Sequence, residues 1–205
     1  LKILKKNNYK AFIVGGAVRD ILMGYKPKDF DIATNATPEQ VRSIFKKSRI
    51  IGRRFRLVHV IYGREIIEVS TFRAKPLQKI QMSNGVLKDN EFGSIEEDAE
   101  RRDFTINALY YDVENKNLID FYGGLKDIQD NKLRLIGEPK LRYKEDPIRI
   151  LRAIRFSAKL KMKIHSETLN EIRNSMDLLQ SVPYSRLFDE VMKFFFTGHS
   201  QESMV

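Results

Sequence analysis

Cysteine is absent from the 205 residues, and histidine occurs only three times. A disulfide framework and thiolate metal sites are therefore excluded, and a reducing, cytoplasmic setting is the expected one. His59, His165 and His199 share no metal-ligand spacing. No apolar run approaches the roughly 20 residues that cross a bilayer, so no membrane partner is expected. A Walker A sequence is missing, which argues against a P-loop NTPase. Serine and threonine show no nucleophile elbow and no paired histidine, so covalent hydrolase chemistry is not expected. Internal repeats and low-complexity tracts are also lacking. The opening Leu1-Lys2-Ile3-Leu4-Lys5-Lys6 is too short and too charged for a signal-peptide core, and without an initiator Met the natural chain is expected to begin upstream.

A hydrophobic content of 42% with 31% charged residues is that of an ordinary globular protein. The net charge of +10 points to a polyanionic partner. That charge is unevenly spread: from Lys132 to Lys163, 11 Lys or Arg stand against only Glu138, Glu145 and Asp146. This segment, with Lys159, Lys161 and Lys163 at its end, is a candidate nucleic-acid surface.

Two stretches carry phosphate and metal chemistry. Gly15-Gly16-Ala17-Val18-Arg19-Asp20 follows the apolar run Ala11-Phe12-Ile13-Val14, so its bare backbone can approach a phosphate at a helix start while Arg19 supplies charge. Asp29-Phe30-Asp31 places two carboxylates on one face if the segment is extended, a hard oxygen pair suited to Mg²⁺. A third acid completing such a site belongs on a neighbouring strand. Glu68, inside the apolar run Ile66 to Phe72, fits, and Asp103 is the rival, with a helix N-cap as its plainer role.

Elements follow from periodicity and punctuation. Strands are expected over 11–14 and 30–33, a helix over 17–23, and a second helix opened by Thr37-Pro38 with Gln40 at the capping-box position. A hairpin is expected over 57–62 and 65–72, a mobile loop over 73–94, a helix over 95–102 continuing as an apolar helix over 104–111, and short strands over 117–122 and 133–136. From Asp146 onward the pattern is helical. A boundary near residue 140 divides a mixed α/β part, residues 1–140, from an all-helical part, residues 141–205. Phe194-Phe195-Phe196 near the end leads us to expect further protein beyond Val205. At 100° per residue Arg149, Arg152 and Arg155 share a roughly 120° arc of one helix and line a basic groove, with Glu145 and Asp146 as ordinary N-terminal acids.

The ordered set Gly15-Gly16-Ala17-Val18-Arg19-Asp20, Asp29-Phe30-Asp31, Arg101-Arg102-Asp103-Phe104-Thr105-Ile106-Asn107-Ala108-Leu109 and Glu145-Asp146-Pro147-Ile148-Arg149-Ile150-Leu151-Arg152-Ala153-Ile154-Arg155-Phe156 resembles the class II tRNA nucleotidyltransferase and poly(A) polymerase family. The resemblance covers nearly the whole chain. Arg53-Arg54-Phe55-Arg56-Leu57-Val58-His59-Val60, Ile67-Glu68-Val69-Ser70-Thr71-Phe72-Arg73 and Val182-Pro183-Tyr184-Ser185-Arg186-Leu187-Phe188-Asp189-Glu190 look more like its bacterial poly(A) polymerase branch than its CCA-adding branch. The loop after Arg73 looks short for that branch.

The resemblance implies an α/β (α+β) fold: a polymerase-β-like nucleotidyltransferase head with a mixed sheet, then a helical neck. It implies a template-independent enzyme that adds AMP from ATP to RNA 3′ ends with two Mg²⁺ ions. It further implies Asp29 and Asp31 as metal ligands, Gly15, Gly16 and Arg19 at the triphosphate, Arg102, Asp103 and Asn107 in the nucleotide site, Arg149 and Arg152 at the base, and Arg155 toward RNA. Glu68 and Asp103 both stay open as the third catalytic acid. CCA addition to tRNA is the close alternative, and a non-catalytic RNA-binding module is the alternative from another class.

Overall fold

The computed structural model describes residues 1–52, 56–74, 82–83, 86–87 and 92–196. It divides into two compact units, residues 1–102 with 107–121, and residues 103–106 with 122–205.

The first unit is built on a seven-stranded sheet. Helix α1 (Lys2–Lys6) leads into β1 (Ala11–Val14), α2 (Gly16–Leu22), β2 (Asp31–Thr34), α3 (Pro38–Ile44), β3 (Ser48–Ile51), β4 (Leu57–Tyr62) and β5 (Glu65–Thr71). The short strands β6 (Met82–Ser83) and β7 (Val86–Leu87) pair with each other, and α4 (Ile95–Arg101), β8 (Leu109–Asp112) and β9 (Asn117–Asp120) complete the unit. The sheet order is β3-β4-β5-β2-β1-β8-β9, antiparallel throughout except for the parallel pair β2 and β5. That pair brings together strands separated by the whole α3 to β4 excursion.

Local chemistry explains most of these elements. The Thr37 hydroxyl accepts from the Gln40 amide at 3.3 Å while the Thr37 amide donates to Gln40 Oε1 at 2.8 Å, so the expected capping box starts α3. In β4 only Val58 and Val60 point into the core, the period-two pattern of a half-buried strand. Gly63 takes φ +64° at the first position of the two-residue link to β5, a left-handed angle that a hairpin turn of the primed kind demands. Leu4, Ala11, Ile32, Ala36, Val41, Val58, Val60 and Val69 form one buried cluster joining α1, α3 and the sheet.

The second unit contains α5 (Gly124–Gln129), β10 (Lys132–Leu133), α6 (Pro139–Glu145), α7 (Ile148–Leu160), β11 (Lys163–Ile164), α8 (Ser166–Ser175) and α9 (Tyr184–Phe196). Strands β10 and β11 pair in parallel. The segment 103–106 belongs here because Thr105 donates its amide to the Arg134 carbonyl, Ile136 donates to the Asp103 carbonyl, and the Phe104 ring meets Phe156 edge-on at 5.8 Å. Asp127 secures the same segment, accepting from Thr105 Oγ1 at 2.6 Å and Arg134 Nε at 2.9 Å. Among the described residues no helix is long and apolar enough to cross a membrane.

Several expectations change. The apolar stretch 104–111 is not a helix: a single 3₁₀ turn, Thr105–Asn107, precedes strand β8. Leu109 and Tyr110 are fully buried inside the sheet, where aromatic and β-rich residues pack on both faces. Asp103 therefore caps no helix. Helix α1, strand β3 and helix α5 also arise outside the expected pattern, and β11 interrupts the helical second half. The chain passes between the two compact units after Arg102, after Ile106 and after Phe121. Arg53, Arg54 and Phe55, and most of the expected loop over 73–94, lie outside the described residues.

Candidate active site

One row of paired residues crosses the first unit's sheet: Tyr110, Val14, Asp31, Glu68 and His59 are successive register partners on β8, β1, β2, β5 and β4. The residue after Val14 is Gly15, so the glycine turn leaves the sheet at the level of the acids. Gly15 adopts φ +73° and ψ −129°, a conformation open only to glycine, and donates its amide to the Leu109 carbonyl at 3.1 Å. A Cβ on Gly15 would lie 3.4 Å from Arg102 Nη1, and one on Gly16 would lie 3.5 Å from Arg19 Nη2. Two guanidinium groups thus pack directly against the turn.

Their roles differ. Arg19 is buried, and its guanidinium bonds Asp20 Oδ1 through Nε (2.8 Å) and Nη2 (2.6 Å) and Asn107 Oδ1 through Nη1 (2.6 Å). Expected at the triphosphate, it packs against the Gly16 end of the turn and fixes Asn107. Arg102, expected in the nucleotide site, lies on Gly15: Nε donates to the Tyr110 hydroxyl at 2.9 Å, Nη2 to Asp98 Oδ2 at 3.1 Å, and Nη1 reaches the Asn107 carbonyl at 3.5 Å.

Asp31 opens β2 and Asp29 precedes it outside the strand. The Asp31 carboxyl is raised above the usual aspartate range, first because surrounding protein atoms strip it of water, then because Glu68 and Asp29 repel its charge, with Arg102 acting the other way. Glu68 is exposed on an interior strand, 3.2 Å from His59 Nε2, rather than buried among its apolar neighbours. No group of three His, Asp or Glu among the described residues stands ready to hold a metal ion. Crowded, undercompensated carboxylate oxygens nevertheless fit a hard cation that takes its remaining ligands from phosphates and water, as Mg²⁺ does.

A thermal consequence follows from that crowding. A raised pKa means the ionised form of Asp31 is disfavoured in the folded chain, so at neutral pH the charge costs stability. Asp31→Asn is expected to raise the melting temperature of the metal-free protein at pH 7, and the gain should fade as the pH falls through the raised pKa and wild type takes up its proton. Scanning calorimetry at pH 7 and pH 4 checks this; a variant less stable than wild type at pH 7 would contradict it.

In the second unit each of the three arginines expected to line a basic groove bonds a carboxylate. Asp103 Oδ2 accepts from Arg152 Nε at 2.8 Å and Nη2 at 2.5 Å, and its Oδ1 accepts from the Phe104 amide. Arg149 Nη1 donates to Glu145 Oε2 at 3.1 Å and to the Arg142 carbonyl at 2.8 Å. Arg155 is buried under α9 and donates through Nε to Glu190 Oε1 at 2.5 Å, so it does not face RNA. A charge covered by a packed helix needs a partner, and Glu190 is that partner. Lys161 and Lys163 stay exposed, and Lys159 is partly covered.

Asp146 was read from sequence only as an N-terminal acid. Its Oδ2 accepts from Arg186 at 2.9 Å while its Oδ1 is buried without a hydrogen-bond partner among the described residues. This unpaired buried acceptor lies three residues before Arg149 and is a feature that only coordinates reveal.

Comparison with known proteins places this geometry. The family described as the Poly A polymerase head domain matches residues 11–134, and the one described as the probable RNA and SrmB-binding site of polymerase A matches residues 161–205. Poly(A) polymerase I of Escherichia coli O6:H1 is 53% identical over 98% of the chain, which spans 45% of that protein. The CCA-adding enzyme of Lactobacillus helveticus is 35% identical over 99% of the chain and 50% of that protein. The chain thus spans about half the length of the curated relatives it matches. Among solved structures, the Bacillus stearothermophilus CCA-adding enzyme in complex with CTP superposes with TM-score 0.83 at 37% identity, over 94% of this chain and 46% of that one. A tRNA nucleotidyltransferase complexed with a primer tRNA and an incoming ATP analogue gives 0.75 at 32%, over 93% and 54%.

Proposed function

We propose, because the chain belongs to the family of the poly(A) polymerase head domain, that it carries the catalytic centre of a template-independent polymerase adding AMP from ATP to RNA 3′ ends. The row that sets the Gly15 turn beside Asp31 and Glu68 carries this reading. The greater identity to Poly(A) polymerase I than to CCA-adding enzymes supports adenylate as the product.

The RNA 3′-oxygen forms a bond to the α-phosphorus as the bond from that phosphorus to the β-bridging oxygen breaks; the hydroxyl proton is given up and pyrophosphate leaves. Asp29 and Asp31 would hold Mg²⁺, with Glu68 beside them, and bound Mg²⁺ supplies Lewis-acid polarisation and neutralises the leaving pyrophosphate. The Gly15-Gly16 backbone admits the triphosphate without side-chain obstruction. Arg102 brings positive charge to that turn, and Arg19 and Asn107 keep it in shape. Catalysis of this kind is positioning and charge neutralisation more than covalent chemistry.

For the second unit we propose that Asp146 and Arg149 offer a nucleobase one acceptor and one donor, and that Lys159, Lys161 and Lys163 contact RNA phosphates. The helical region from residue 141 is then the neck.

Nucleotide choice tests the reading. The chain is given a generic RNA primer, and separately a tRNA lacking its 3′ end, each with ATP and CTP and Mg²⁺. Runs of A on either RNA are expected. A stop after C-C-A on tRNA alone would replace this function with the CCA-adding one.

A further inference from the structure

Buried inside the first unit is a polar triangle that packing alone does not require. Tyr110 is fully buried, and its ring meets Phe12 edge-on at 6.4 Å and Phe121 at 6.5 Å. Phenylalanine would make those contacts equally well, so the hydroxyl needs a separate reason. It donates to Asp98 Oδ2 at 2.6 Å and accepts from Arg102 Nε at 2.9 Å, while Arg102 Nη2 closes the third side to the same Asp98 oxygen at 3.1 Å. The other Asp98 oxygen accepts from the Arg73 amide at 3.3 Å. Asp98 is itself buried.

We infer that Asp98 and Tyr110 are positioning residues that lock the Arg102 guanidinium against the Gly15 turn and so set the affinity for a nucleoside triphosphate. The inference rests on that turn being the triphosphate seat. Two of the three guanidinium nitrogens are held from behind, while Nη1 faces the turn, 3.4 Å from where a Gly15 Cβ would stand and 3.5 Å from the Asn107 carbonyl. Arg102 follows the last residue of α4 in extended conformation, where nothing helical restrains its long side chain. Arginine's long side chain carries large rotamer entropy, and a fixed fork loses less of it on binding. The donor directions hold because burial keeps the phenol protonated, its pKa raised far above the ordinary range in spite of the opposing Arg102 charge, with Asp98 adding to the rise.

The test compares Tyr110→Phe and Asp98→Asn with wild type for equilibrium binding of ATP and of AMP in Mg²⁺ without RNA, alongside melting temperature. Losing a charged hydrogen bond that fixes Arg102 should weaken ATP binding about tenfold. AMP, which lacks the β- and γ-phosphates, should change less than about twofold by the same reasoning, so the ATP-to-AMP preference collapses. A merely structural role would lower the melting temperature and leave that preference intact in the folded fraction. Tyr110→Phe keeps the ring and its packing, so it decides the matter if Asp98→Asn does not fold. Wild-type preference for ATP with an unchanged ratio in folded Tyr110→Phe would overturn the bracket alone; wild type binding ATP and AMP alike would overturn the triphosphate seat and the bracket with it.

Discussion

Asp31→Ala, and Asp29→Ala likewise, should cut AMP incorporation by about a thousandfold, the scale seen when a preorganised electrostatic group is lost from a reaction centre. Fold should survive, since Asp29 lies exposed ahead of β2 and Asp31, at the first position of β2, bears unfavourable charge at neutral pH. Primer extension under single-turnover conditions, with circular dichroism as the control for folding, makes the measurement. The neighbouring acids sharpen it. Glu68 is the register partner of Asp31, whereas Asp103 is already occupied by Arg152 and the Phe104 amide. Glu68→Gln is therefore expected to raise the Mg²⁺ concentration needed for half-maximal rate, and Asp103→Asn to leave that concentration unchanged. A folded Asp29 and Asp31 double variant that extended primers at the wild-type rate would remove these acids from the mechanism.

The second large effect lies away from chemistry. Glu190→Ala leaves the buried Arg155 guanidinium without its acid and is expected to destabilise the second unit by about 3–5 kcal/mol, a melting shift on the order of 10 °C for a chain of this size. Both side chains are less than a tenth exposed, so water cannot replace the lost partner. Replacing the pair together, Arg155→Met with Glu190→Leu, should recover most of the loss because apolar groups of similar volume need no partner. If Glu190→Ala cost less than about 1 kcal/mol in urea unfolding, as exposed pairs do, the pair would not be the latch between α7 and α9 described above. RNA affinity of the double replacement should match wild type, in keeping with Arg155 facing inward.

Arg155 also shows where sequence stops speaking. Helical period places Arg149, Arg152 and Arg155 on one arc, and α7 does form there, but period alone does not say which helix later covers part of that arc. Sequence reading put Glu68 on a strand neighbouring Asp29 and Asp31 but did not supply the register: Asp31 stands opposite Glu68 because the chain returns past β3 and β4. Local signals fared well where they were self-contained. Thr37, Pro38 and Gln40 specify the start of α3 through bonds within one turn, and Gly63 with its flanking alternation specifies the hairpin. The stretch 104–111 misled because a short apolar run suits a buried strand as well as a buried helix, and position in the sheet decided it. Arg19 was legible as a cation near the glycines and next to Asp20, but its bond to Asn107 spans 88 residues of sequence. Asp146 was legible as an acid near a helix start and within the Glu145 to Phe156 motif, but its unpaired oxygen is a property of packing.

The central claim is that the acids beside the Gly15 turn drive nucleotidyl transfer, and it is tested most directly by counting products in one tube. With the chain, an RNA primer, Mg²⁺ and ATP labelled at the α- and γ-phosphates, each AMP joined to the primer should be matched by one pyrophosphate released, and both should vanish in Asp31→Ala. Release of orthophosphate without primer growth, or primer growth that persists in the folded Asp31→Ala chain, would contradict the account.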